Sequence, residues 1–236
     1  MFNLENAIAQ TMSLQDKANQ VMAGGDWTKN GIDWVSCAQA ELGESFTWTA
    51  YKHWKKMEPN FFQAFVEIVD SYHFMLSLAI ERGITAQALS EHAKKALMLV
   101  ELQASKFNES TDLDEQKRMA KTGLKQLMAH CLQAEFDNET LAKTVAAHLL
   151  AASQMGFSEE DFIRAYVPKN CLNLFRQHNG DRAGQYPRMW HFEGQEIEDN
   201  QVVEILVKRN PDLAYDSVAL ASELQSILDG IRAQSH

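Results

Sequence analysis

The sequence predicts an all-α protein, and three observations support this prediction. Apolar residues recur at spacings of three and four along most of the chain, and no segment shows a convincing alternation of apolar and polar residues. The 236 residues include only 11 glycines and 4 prolines, so the residues that turns and hairpins require are scarce. No Ser- or Gly-rich linker interrupts the helical pattern. We therefore expect residues 1–236 to form a single domain built as a helical bundle.

The amphipathic segments are bounded by capping residues, glycine or proline. Asp33 is the expected N-cap of the second helix, Pro59 marks its end and Gly83 ends the third. Ser158 and Asp161 loosely match a capping box. The predicted helices cover about residues 4–22, 33–57, 60–82, 85–107, 111–134, 138–155, 158–178, 199–208 and 216–233.

Residues 180–194 break this pattern. The segment is punctuated by glycine and proline and lacks a helical period, so it is predicted to be a long ordered loop. Long loops in compact domains are often functional.

Charge and cysteine content exclude several classes of protein. The chain has 22 basic and 32 acidic residues, and a net charge of −10 would repel a nucleic acid or an anionic membrane. Cys37, Cys131 and Cys171 form no close pair, which is typical of a reducing compartment. No leader pattern and no uncharged apolar run of roughly 18 residues are present. These features predict a cytoplasmic protein.

Acidic residues interrupt two otherwise apolar helices. Glu41 and Glu44 are three residues apart in the second helix, and Glu67 and Asp70 have the same spacing in the third. A buried carboxylate needs a partner or a metal ion. If the two helices pack antiparallel, the four carboxylates converge and offer only oxygen ligands, which suit Mg²⁺ or Mn²⁺. The alternative is that these acids form solvated helix faces, because such a pattern arises by chance in an acidic chain.

A basic segment stands out in this acidic chain. Residues 169–188 contain four basic side chains and one acid, Asp181. Lys169, Asn173 and Arg176 share one helix face that leads into the glycine-punctuated loop. This combination predicts a binding site for a polyphosphate. The alternative is a basic stripe that neutralises acidic neighbours within the chain.

These motifs together resemble the dimeric all-α dUTPases. The resemblance rests on ELGE at 41–44, EIVDSYHF at 67–74, the K-x3-N-x2-R-x3-G-x3-G-x-Y-x-R-x-W run at 169–190, and EDN at 198–200. It covers about residues 14–200. These enzymes belong to a larger group of all-α nucleotide pyrophosphatases that includes the MazG-type enzymes, and the acidic motif is common to that group. The resemblance implies a homodimeric, Mg²⁺-dependent hydrolase, with Mn²⁺ as a substitute ion, that converts dUTP to dUMP and pyrophosphate. It also implies an active site that borrows residues across the dimer interface, and dUDP is a further candidate substrate.

The resemblance also assigns roles to individual residues. Four acidic residues would hold the Mg²⁺ ions that activate a water, namely Glu41, Glu44, Glu67 and Asp70. Glu44 or Glu41 would act as the base. The residues that would neutralise the phosphates are Lys169, Asn173, Arg176, Tyr186 and Arg188. The residues that would contact the uracil or the rest of the nucleotide are Gln15, Asn19, Trp48 or Trp54, His73, Phe74 and Asn200.

Three positions depart from the usual pattern of the family, namely His53, Asp181 and Arg188. If they alter the base pocket, dCTP or another pyrimidine nucleotide would be the substrate while the phosphate chemistry stays the same. Two alternatives therefore accompany the dUTPase interpretation. One is another nucleoside triphosphate pyrophosphatase of the same group, of the dCTP or house-cleaning type. The other is a non-catalytic helical interaction protein in which the carboxylates are structural.

Overall fold

The computed structural model describes residues 3–52, 54–133 and 137–234, and these residues confirm the all-α fold class. One short hairpin is the exception. None of the described helices has the length and apolar character needed to cross a membrane. The helices are α1 (Leu4–Ala23), α2 (Trp34–Trp48), α3 (Phe61–Glu81), α4 (Ala86–Glu109), α5 (Leu113–Cys131), α6 (Asn138–Ser153), α7 (Glu159–His178), α8 (Asp199–Arg209) and α9 (Ser217–Gln234), and the strands are β1 (Met189–Phe192) and β2 (Gln195–Glu198).

Side-chain caps explain where several helices begin. The Asp33 carboxylate accepts a hydrogen bond from the backbone N–H of Ser36 at 3.0 Å, which confirms its predicted role at the start of α2. Before α7, the Ser158 N–H donates to Asp161 Oδ2 at 2.9 Å, and the Asp161 N–H donates to Ser158 Oγ at 3.1 Å. This reciprocal pair is a capping box with aspartate in the place of glutamate.

The predicted C-terminal end of α2 is wrong. The helix ends at Trp48 and not near Met57. Ala50 has a positive φ of 54°, and the Trp48 carbonyl accepts a hydrogen bond from the backbone N–H of Asn60 at 2.9 Å. Residues 49–58 contain neither glycine nor proline, so nothing local in the sequence marked this end. His53 lies outside the described residues, as does the predicted end of α5 at Ala134.

The prediction of a long ordered loop up to residue 194 is also wrong, because β1 begins at Met189. Strand β1 pairs antiparallel with β2, with Met189 opposite Glu198 and Phe192 opposite Gln195. The two turn residues, Glu193 and Gly194, have positive φ angles of 51° and 81°, as two-residue hairpins of the favoured hand require. Four-residue strands are too short for a clear alternation, and glutamate is an unusual first turn residue. These two features hid the hairpin.

The chain divides into two compact units, which are described separately below. Unit 1 comprises residues 1–16 and 26–163, and unit 2 comprises residues 17–25 and 164–236. Two of the three boundaries fall within α1 and within α7, and the third lies between Gly25 and Asp26. The assignment of residues 1–236 to a single domain stays a prediction.

In unit 1, helices α2 and α3 pack against each other in antiparallel directions. Ser45, near the end of α2, donates from Oγ to the carbonyl of Ala64, near the start of α3, at 2.7 Å. Trp34, at the start of α2, stacks on Phe74 in the second half of α3 with ring centroids 6.2 Å apart. The condition for convergence of the two acidic pairs is therefore met.

A buried histidine joins α6 to α3 in unit 1. His148 Nδ1 lies 2.7 Å from the Thr144 carbonyl, and its Nε2 lies 3.1 Å from Ser71 Oγ. Because a carbonyl can only accept, Nδ1 carries the proton and Nε2 accepts the Ser71 hydroxyl proton. Burial lowers the pKa of His148 from 6.5 to about 4, so the ring is neutral at pH 7.

This histidine should make unit 1 less stable in acid. Between pH 6.5 and about 4 the unfolded state protonates His148 while the folded state does not, so the free energy of unfolding falls as the pH falls. The contribution of His148 across this window is about 3 kcal/mol. Urea unfolding at pH 7.5 and pH 4 would measure it. The His148→Gln variant, which does not titrate, should lose less stability than the wild type, and an equal loss would contradict the prediction.

In unit 2, α7, the hairpin, α8 and α9 enclose a separate apolar core. Its aromatic centre is formed by Phe175, Tyr186 and Trp190, whose rings meet edge to face. The Trp190 indole N–H donates to the Pro187 carbonyl at 2.8 Å. Residues of α8 and α9 close this core, namely Val202, Val203, Leu220, Leu224 and Leu228.

Candidate active site

Three of the four predicted metal ligands lie together in unit 1. Glu41 projects from α2, and Glu67 and Asp70 project from α3. One carboxylate oxygen from each lies within 4.8 Å of the others, and all three residues are half-buried. The antiparallel packing of α2 and α3 and the three-residue spacing in α3 bring these side chains together.

Glu44 does not belong to this group. It lies three residues after Glu41 on α2, is exposed to solvent, and is not among the clustered carboxylates. Its predicted roles as metal ligand and base stay predictions.

The electrostatics of the cluster suit a hard divalent cation. Three carboxylates at this separation repel one another unless a cation or protons intervene. The negative field extends to Cys37, whose pKa is raised by burial and further by the carboxylates of Asp33 and Glu41. An all-oxygen, half-buried donor set fits Mg²⁺ or Mn²⁺, whereas zinc sites usually contain nitrogen or sulfur ligands. The residues present therefore fit the ion that the sequence predicts.

His73 lies beside the cluster. Its Nδ1 is 3.3 Å from Asp70 Oδ1, and the two side chains are 6% and 15% exposed. The sequence placed His73 near the base, whereas the structure places it against a carboxylate of the cluster. Its predicted contact with the nucleotide stays a prediction.

Two of the predicted uracil contacts, Phe74 of α3 and Gln15 of α1, lie in unit 1 and have partners there. Phe74 lies four residues after Asp70, and its ring stacks on Trp34 at an interplanar angle of 27°. The Trp34 indole N–H donates to Glu81 at 2.9 Å, which fixes the plane of this ring. Gln15 is buried and its Nε2 donates to Ser77 Oγ at 3.1 Å. Sequence reasoning missed both Trp34 and Ser77, because their partners lie far away in the chain.

The other predicted base contacts are more dispersed. Trp48, at the end of α2, is 41% exposed, and Trp54 is more exposed still. Asn19, in the part of α1 that belongs to unit 2, is buried. The roles of Trp48, Trp54 and Asn19 as base contacts stay predictions.

In unit 2, Arg176 forms a buried ion pair that the sequence did not reveal. Its Nε and Nη2 donate to the two carboxylate oxygens of Asp199 at 2.8 and 2.7 Å, and the side chains are 8% and 1% exposed. The Tyr186 hydroxyl donates to the same carboxylate at 2.8 Å. Burial and the charge of Asp199 raise the pKa of Tyr186 far above its usual value, so the hydroxyl remains a donor.

The remaining residues of the basic segment also have partners within unit 2. Lys169 Nζ donates to Asn200 Oδ1 at 3.3 Å, and Arg176 Nη1 donates to Asn173 Oδ1 at 3.4 Å. Arg188 pairs with Asp181 at 2.9 Å on the surface. The ion pairs of Arg176 with Asp199 and of Arg188 with Asp181 are what the alternative interpretation of the segment predicted, namely a basic stripe that neutralises acids of its own chain. Binding of phosphate by these residues stays a prediction.

Fold and site together define a helical protein with a candidate divalent-cation site carried by two antiparallel helices. A comparison with protein-family models adds the particular family: the dUTPase model matches residues 3–180. The chain therefore belongs to the dUTPase family and is a hydrolase that acts on dUTP. The match includes the carboxylates, Lys169 and Arg176, whereas Tyr186, Arg188 and Asn200 lie beyond it. A comparison with individual curated proteins found no match.

Proposed function

We propose that the protein is a Mg²⁺-dependent dUTP diphosphatase that cleaves dUTP to dUMP and pyrophosphate. The observation that carries this proposal is the cluster of Glu41, Glu67 and Asp70 in a chain of the dUTPase family. An all-oxygen donor set of this kind is what Mg²⁺ prefers in proteins.

The carboxylates and their neighbours have distinct proposed roles. Glu41, Glu67 and Asp70 would hold the ion, which would supply positive charge against the phosphate oxygens and make a water more acidic. His73, at 3.3 Å from Asp70 Oδ1, restrains the orientation of that carboxylate. On the resemblance alone, the Glu44 carboxylate, which is exposed and outside the cluster, is proposed as the acceptor of the proton that the attacking water loses.

Arg188 is the proposed phosphate ligand that the structure supports best. Its guanidinium is 58% exposed and its ion pair with Asp181 lies on the surface, where such pairs contribute little. A phosphate could therefore replace Asp181 at small cost. Lys169, Asn173, Arg176, Tyr186 and Asn200 are proposed as further phosphate or nucleotide ligands on the resemblance alone.

Three broader properties are also proposed. A homodimer follows from the resemblance, and a cytoplasmic location follows from the three dispersed cysteines. The net charge of −10 argues against nucleic acid as a partner.

The proposed function can be tested by product release from a panel of nucleotides. Pyrophosphate would be measured with dUTP, dCTP, dTTP and UTP, and inorganic phosphate with dUDP, each with Mg²⁺ and with EDTA. We expect pyrophosphate from dUTP only when Mg²⁺ is present. Preferred cleavage of dCTP would retain the carboxylate chemistry and reject the uracil assignment. No release from any nucleotide would favour a non-catalytic helical protein.

A further inference from the structure

We infer that Ser77 sets the base specificity of this enzyme by fixing which way the Gln15 carboxamide points. The inference rests on the proposed function, which places Gln15 at the edge of the base. Both residues belong to unit 1 and both are buried. Gln15 Nε2 donates to Ser77 Oγ at 3.1 Å, across 62 residues of sequence.

The hydroxyl of Ser77 can accept from Gln15 but is committed as a donor elsewhere. Its single proton is donated to the backbone carbonyl of His73, one turn earlier in α3, at 2.9 Å. Only the lone pairs of Oγ therefore face Gln15. If the carboxamide were turned over, Oε1 would meet these lone pairs, or Ser77 would have to give up its bond to His73. In a buried position either change is costly.

Ser77 also lies where a residue that positions the base contact should lie. Asp70, Phe74 and Ser77 follow one another at spacings of four and three, so they share one face of α3. Helix α3 thus carries, one after another, a carboxylate of the cluster, the aromatic candidate for stacking and the anchor of Gln15. Trp34 of α2 packs against Phe74 on this face of α3.

The orientation of a carboxamide distinguishes uracil from cytosine. Uracil presents an N3–H donor beside the O4 acceptor, whereas cytosine presents an N3 acceptor beside an amino donor. A carboxamide pairs with uracil through Oε1 at N3–H and Nε2 at O4. Pairing with cytosine requires the two ends of the carboxamide to be exchanged. By holding one orientation, Ser77 makes Gln15 complementary to only one of these two bases.

The test compares kcat/KM for dUTP and dCTP in wild type, Ser77→Ala, Gln15→Ala and the double variant, all with Mg²⁺. Ser77→Ala should lower the ratio of dUTP to dCTP by about tenfold, because it removes one hydrogen bond that holds the amide. In the Gln15→Ala background, Ser77→Ala should change the ratio no further. A purely structural role for Ser77 would not produce this dependence on Gln15.

Controls separate misfolding from lost specificity. Ser153→Ala removes another buried serine hydroxyl, one that donates to the Leu150 carbonyl at 2.8 Å, and should leave the ratio unchanged. If Ser77→Ala loses its helical circular dichroism, Ser77→Cys preserves the volume and should lower the ratio in the same direction. If a folded Ser77 variant kept the wild-type ratio of dUTP to dCTP, this inference would be overturned and the proposed function would stand. Absence of dUTP hydrolysis in the wild type would overturn the proposed function and this inference together.

Discussion

Replacing Glu67 by glutamine is expected to abolish dUTP hydrolysis while leaving the helices intact. The substitution keeps the shape of the side chain and removes one of three clustered negative charges. A bound divalent ion supplies several kcal/mol of transition-state stabilisation, so kcat/KM should fall on the order of 10³-fold. Pyrophosphate release and far-UV circular dichroism would measure the two properties separately.

Thermal unfolding gives this prediction a second readout. Mg²⁺ should raise the melting temperature of the wild type, because it binds only the folded state, and should raise that of Glu67→Gln much less. In EDTA the variant should be at least as stable as the wild type, since the mutual repulsion of the carboxylates is reduced. Glu91→Gln, which changes an exposed acid on α4, is the matched control and should behave as wild type. Full activity in Glu67→Gln would exclude Glu67 as a metal ligand.

The parts of the fold that the sequence predicted are those determined by local interactions. Asp33 and Ser158 cap helices through bonds that reach only three residues along the chain, so the helix starts were visible in the sequence. The acidic cluster was visible for a related reason. Spacing within a helix places Glu67 and Asp70 on one face, and antiparallel packing is the simplest way to bring Glu41 to them.

The parts that were missed depend on contacts between distant residues. The end of α2 is marked by a hydrogen bond from Asn60 to Trp48, which no local pattern encodes. Ser77 and Gln15 meet across 62 residues, and the buried partner of Arg176 lies 23 residues ahead. Asp199 belongs to the EDN motif at 198–200, but only the packing of α7 against α8 brings its carboxylate to Arg176.

Arg176 is also the residue whose replacement should cost the most stability. Arg176→Met would leave the carboxylate of Asp199 buried and without its guanidinium, a change that costs about 3 to 5 kcal/mol in comparable ion pairs. Urea unfolding would measure the loss. The double variant Arg176→Met/Asp199→Asn removes both charges and retains an amide oxygen for Tyr186. It should therefore be more stable than Arg176→Met alone, although it carries one more substitution.

The double variant also separates the two roles that Arg176 is assigned. If Arg176 binds phosphate, the double variant should remain folded and yet show a KM for dUTP raised by about tenfold or more, because a charge-assisted contact has been lost. If the only role of the guanidinium is its ion pair with Asp199, the double variant should retain the KM of the wild type for dUTP. An Arg188→Gln variant, which leaves the buried pair intact, should raise KM in either case. The free energy of unfolding thus reports on the bonds of Arg176 to Asp199, and KM reports on a bond to phosphate. A loss of stability in the double variant without a change in KM would assign Arg176 a purely structural role in the core of unit 2.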